Sequence, residues 1–87
     1  MKNTHELYHR AQHGITELKS AMFELLERSG NGLTNADVGR SLGIHFGHEG
    51  HEGHISRSLL AMMEREGAVL QEGPRGKWLT RQPEQES

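Results

Sequence analysis

The sequence predicts a mainly α-helical fold with a small β-hairpin: three helices, then two short strands. Three observations predict it. Apolar residues recur at alternating steps of three and four from Tyr8 to Leu25. A complete helix-capping phrase occupies Leu33 to Gly43. Two short apolar-containing runs flank the turn sequence Gly73-Pro74-Arg75-Gly76. The 87 residues suit one domain with one modest core.

The first helix is expected from about Thr4 to Glu27. Tyr8, Ala11, Ile15, Leu18, Met22 and Leu25 form one helical stripe. Glu6 with Arg10, and Glu24 with Arg28, place an acid one turn before a base and favour the helix slightly. Gly14 lies mid-helix and invites a kink or break. Ser29-Gly30-Asn31-Gly32 then supplies turn chemistry.

The second helix is expected over about Asn35 to Leu42. Thr34 is a good N-cap, and Asp37 three residues on completes a capping box. Leu33 and Val38 stand where a hydrophobic staple forms, and Gly43 suits a left-handed C-cap. Glycines then make a long loop from Ile44 to at least Gly50. A third helix follows and runs to about Glu66, with Gly67 ending it. Ile55, Leu59, Met62 and Met63 share one side of its wheel; His54, Arg57, Ala61 and Glu64 share the other. The runs around Ala68–Glu72 and Lys77–Thr80 read as a hairpin, with Trp78 packing it onto the core. The domain organisation that follows is an N-terminal helical extension over 1–14, a folded unit over 15–80 and a disordered tail over 81–87.

Composition narrows the function. Apolar residues make up 32% and charged residues 25%, and no stretch approaches a membrane span. The N-terminal Met1-Lys2-Asn3-Thr4-His5-Glu6 has an acid where a secretory signal carries its apolar run, so a cytoplasmic protein is the simplest expectation. With no cysteine, neither a disulfide nor a thiolate zinc site is possible. The net charge of −2 counts against a strong nucleic-acid binder, which normally carries a basic balance. Charge is locally distributed, however: Arg75, Lys77 and Arg81 gather near the end.

The order of elements, and above all Gly32-Leu33-Thr34-Asn35-Ala36-Asp37-Val38-Gly39-Arg40-Ser41-Leu42-Gly43-Ile44 with Ile55-Ser56-Arg57-Ser58-Leu59-Leu60-Ala61-Met62-Met63-Glu64-Arg65-Glu66-Gly67-Ala68-Val69, resembles the winged helix-turn-helix modules of bacterial regulators. The resemblance covers roughly residues 15 to 80 and is more specific for fold than for function. The turn departs from the pattern, because compact units connect their two helices in about three or four residues.

The resemblance implies double-stranded DNA as partner. The third helix would enter the major groove, where Arg57 can pair with guanine O6 and N7. His54, Ser56 and Ser58 would contact phosphate or base edges. Thr34 and Asn35 would present the start of the second helix to a phosphate. Arg75 and Lys77 would contact the backbone or minor groove. Each has a plainer reading: Thr34 caps a helix, and Arg57, Arg75 and Lys77 are solvated charges. Glu64 and Glu72 would repel phosphate.

His45, His48, His51 and His54 recur every third residue. Imidazoles at such spacing suit zinc, nickel or copper, the more so if His51 and His54 share a first helical turn. The same run also reads as a polar turn, or as a source of positive charge in mild acid. No H-E-x-x-H spacing, phosphate-cradling loop or nucleophile elbow occurs, so neither an enzyme nor a cofactor is expected.

The stripe from Tyr8 to Leu25 is longer than the first helix of such a module needs. The surplus, about Thr4 to His13, would pack on a second copy, giving a homodimer, or fold back on its own domain. Two function classes follow: a dimeric DNA-binding regulator or DNA-reading accessory protein, and a protein-interaction module that makes no direct DNA contact.

Overall fold

The computed structural model describes residues 4–48 and 50–81. Within them lie α1 (Thr4–Arg28), α2 (Asn35–Ser41), α3 (His54–Arg65), β1 (Val69–Gln71) and β2 (Trp78–Thr80). The three helices and the two-stranded antiparallel hairpin are those expected from the sequence. Of the expected tail only Arg81 is described, and its amide donates to the Ala68 carbonyl at 3.0 Å.

Helix α1 runs unbroken through Gly14. Met22 and Leu26 are its buried residues, with Ile15, Leu18, Phe23 and Leu25 partly buried beside them. Every residue from Thr4 to Gly14 is exposed, including Leu7 and Tyr8. The first half of the apolar stripe therefore leaves its own domain bare. A Cβ built on Gly14 meets nothing within 4 Å. Gly14→Ala should accordingly stabilise the protein by about 0.5–1 kcal/mol through helix propensity and a less flexible unfolded chain. Thermal unfolding followed by circular dichroism checks this as a rise in Tm.

Helix α2 is fixed at both ends. The Thr34 hydroxyl accepts the Asp37 amide at 3.1 Å, and the Asp37 carboxylate accepts the Thr34 amide at 3.4 Å, which is the expected capping box. At the other end Gly43 has φ +74°. Its amide donates to the Arg40 carbonyl at 3.3 Å, and the Ile44 amide to the Gly39 carbonyl at 2.8 Å, so two orphan carbonyls are satisfied.

Helix α3 begins at His54, so the loop, expected to reach at least Gly50, extends to Gly53. The reason is Gly53, whose φ of +82° is incompatible with a helical residue. Its amide donates to the Phe46 carbonyl at 3.2 Å, while the His51 amide donates to the His48 carbonyl at 2.8 Å. His51 thus belongs to the loop and does not share a helical turn with His54. The connection from α2 to α3 is longer still than the sequence suggested, but it carries its own hydrogen bonds.

In the hairpin Val69 pairs with Thr80, Leu70 with Leu79 and Gln71 with Trp78. Leu33 adds a bridge to Trp78: the Trp78 amide donates to the Leu33 carbonyl at 2.7 Å, and the Leu33 amide to the Trp78 carbonyl at 3.1 Å. This tie between the α1–α2 turn and the hairpin is a finding of the structure. Met22, Leu26, Val38, Leu59, Leu60, Met63, Val69 and Trp78 form the buried core, to which all three helices and both strands contribute. Lys19 also joins α1 to the residue after α3, its Nζ lying 2.7 Å from the Glu66 carboxylate.

Candidate nucleic-acid interface

The start of α2, the start of α3 and the hairpin turn converge on one open groove of about 460 Å³. Thr34, Asn35, Arg57 and Arg75 all line it, together with His45 and Glu52. Residues far apart in sequence thus meet because the hairpin folds back beside α3, anchored by Trp78 in the core and by its bridge to Leu33. Arg57 is exposed, and its Nη2 donates to the Glu52 carbonyl at 3.4 Å.

The turn that presents Arg75 is tightly made. The Gly76 amide donates to the Gly73 carbonyl at 3.2 Å, the Glu72 amide to the Lys77 carbonyl at 2.9 Å, and Gln71 Nε2 to the Gly76 carbonyl at 3.1 Å. Arg75 and Lys77 are both exposed there. Glu72 is exposed beside them and Glu52 lines the groove, so the basic character of this face is modest.

Two of the expected contact residues have other duties. Ser56 is completely buried. Its hydroxyl donates to Asn35 Oδ1 at 2.8 Å and lies 3.2 Å from the Gly53 carbonyl. Asn35 Nδ2 in turn donates to that same Gly53 carbonyl at 3.0 Å. The expectation that the Ser56 side chain meets DNA is therefore corrected: it faces inward and staples α3 to α2. The polar groups of the Asn35 side chain are committed to the same staple. Sequence periodicity offered a warning, because Ser56 sits one residue from the apolar Ile55 and three from Leu59, on the inward side of the wheel.

His54, Arg57 and Ser58 are all exposed. Arg65 joins their side of α3, seven residues after Ser58, and is exposed as well. Sequence reasoning passed over it, although helical spacing places it there. Glu64 stands beside it, also exposed.

The histidine run does not converge. His48, His51 and His54 are exposed, whereas His45 is partly buried against Gly39 and Gly53, with a buried Nδ1 that has no hydrogen-bond partner among the described residues. Among the described residues no three histidine, aspartate or glutamate side chains come together as metal ligands. No helix among them is long and apolar enough to cross a membrane. Compared with protein-family models, curated proteins and solved structures, the chain shows no significant match to any.

Proposed function

We propose that this chain is a winged helix-turn-helix protein that binds double-stranded DNA, with α3 in the major groove and the hairpin as the wing. The observation that carries the reading is the single groove in which Arg57, from α3, and Arg75, from the hairpin turn, stand on opposite elements. An arginine on a helix face can read guanine bidentately, and one on a flanking turn can hold a phosphate. His54, Ser58 and Arg65 extend the exposed side of α3, and Lys77 extends the wing. Ser56 and Asn35 serve by fixing the angle between α2 and α3, on which docking depends. The bare half of α1, from Thr4 to Gly14, is the surface on which a second copy packs, giving a dimer suited to two half-sites.

The test is a titration of the protein against a mixed-sequence fluorescent duplex at low and moderate salt. Binding should weaken steeply with salt as counterions are released. Arg57→Ala should weaken it by about 1–3 kcal/mol, and Arg75→Ala with Lys77→Ala should also flatten the salt dependence. The second reading, a winged helix that meets a protein, draws on the net charge of −2. Absence of duplex binding at low salt would remove the DNA reading and leave that one.

A further inference from the structure

We propose that His5 and His9, on the exposed N-terminal half of α1, form a two-histidine clip for a divalent first-row transition-metal ion of the zinc class. The two residues are one helical turn apart, so they share a face. Their Nε2 atoms lie 3.2 Å from each other and their rings meet edge to face, with centroids 4.5 Å apart. Two imidazole nitrogens bound to one ion at about 2.0–2.1 Å stand roughly 2.9 Å apart at a right angle and roughly 3.3 Å apart at the tetrahedral angle. The observed separation falls within that interval, so one ion can replace the hydrogen bond between the rings with little movement.

In the ion-free pair one ring donates its Nε2 proton to the other. When the ion binds, that proton resides on Nδ1 instead, and both Nε2 lone pairs face the metal. Neutral imidazole suits zinc, nickel and copper, with copper the tightest of the three. The clip supplies two ligands and water completes the shell. His13 and Glu17 form a separate pair further along the helix, Nε2 to Oε2 3.7 Å, and do not reach the same ion.

The placement contrasts with that of the loop histidines, which outnumber this pair in sequence but do not converge. A helix fixes the geometry that a glycine-rich loop does not supply. The consequence for the protein is local. No residue from Thr4 to Gly14 is buried by the described residues of its own chain, so within one chain these turns gain no core packing. An ion that binds the helical pair and not the frayed segment stabilises them in proportion to its occupancy.

Zinc chloride titrated into the tag-free, full-length protein tests this, read by calorimetry and by the histidine ring nitrogen resonances. One ion per chain is expected, with the Nε2 signals of His5 and His9 shifting. H5Q/H9Q should bind at least ~10-fold more weakly, as loss even of a supporting group does at metal sites. H48Q/H51Q should bind like the parent chain. All four positions are exposed, and matching metal-free melting curves establish that the variants fold. Equal affinity in H5Q/H9Q, shifts confined to the loop histidines, or no saturable binding would each overturn the proposal. None of these readouts involves DNA, so the result stands whichever way the duplex titration falls.

Discussion

Leu60→Ala should lower the stability of the folded protein by about 2–5 kcal/mol. Leu60 is completely buried. It projects from α3, the helix that packs against α1, α2 and β1, so truncation opens a cavity in the buried core. The loss combines the transfer energy of the deleted carbons with a cavity that its neighbours fill only in part. A domain of this size has roughly 5–15 kcal/mol in total, so a large share would go. Urea unfolding followed by circular dichroism measures it as a fall in midpoint with an unchanged slope. Leu60→Met is the control: it conserves volume and should lose less than about 1.5 kcal/mol. If Leu60→Ala unfolds at the parent midpoint, the core does not lie where α3 meets the other elements.

Local rules made most of the fold legible. The capping box at Thr34 and Asp37 and the turn at Gly43 depend on residues within a few positions of one another, and they form as their spacing demands. The α1 stripe was equally legible, and so was its surplus. Leu7, Tyr8 and Ala11 continue a pattern that the domain itself leaves uncovered. The features that escaped are pairings between distant residues. Leu33 joins Trp78 across 45 positions, and Ser56 reaches Asn35 across 21. Nothing in the neighbourhood of Ser56 announces a partner on another helix. Periodicity turns Ser56 inward, but its partner Asn35 is set by the packing angle between α2 and α3. The start of α3 is open in the sequence for a related reason: glycine permits both loop and helix, and the Gly53 amide bond to the Phe46 carbonyl holds Gly53 outside the helix.

The site was legible in its residues but not in its grouping. Sequence reasoning singled out Thr34, Asn35, Arg57 and Arg75 one by one from the order of elements, and the structure gathers those four around one groove. That grouping explains how a chain with a net charge of −2 can still present two arginines to a single ligand. Glu52 and Glu72 nearby keep the long-range field weak. Affinity for DNA would then rest on a few placed contacts and on two copies binding together, and a broad basic surface would not be required.

Gly76→Ala tests the same grouping from the side of the hairpin. A Cβ built on Gly76 collides with the Glu72 carbonyl oxygen and carbon. Both are main-chain atoms, so no side-chain rotation relieves the clash and the turn must open. Opening disrupts the bonds from Gly76 to Gly73, from Glu72 to Lys77 and from Gln71 to Gly76. At about 0.5–1.5 kcal/mol each, closure of the hairpin should weaken by roughly 2–4 kcal/mol. The effect should stay local, because Trp78 keeps its bridge to Leu33 and its place in the core. Amide hydrogen exchange should therefore show lost protection at Glu72 and Gly76, with protection retained at the Met62 and Met63 amides in α3. Duplex binding should fall at least as far as in Arg75→Ala with Lys77→Ala, since both side chains are carried by the turn that opens. Unchanged protection at Glu72 would refute the tight turn. A lost turn with undiminished duplex binding would show instead that α3 binds without the wing.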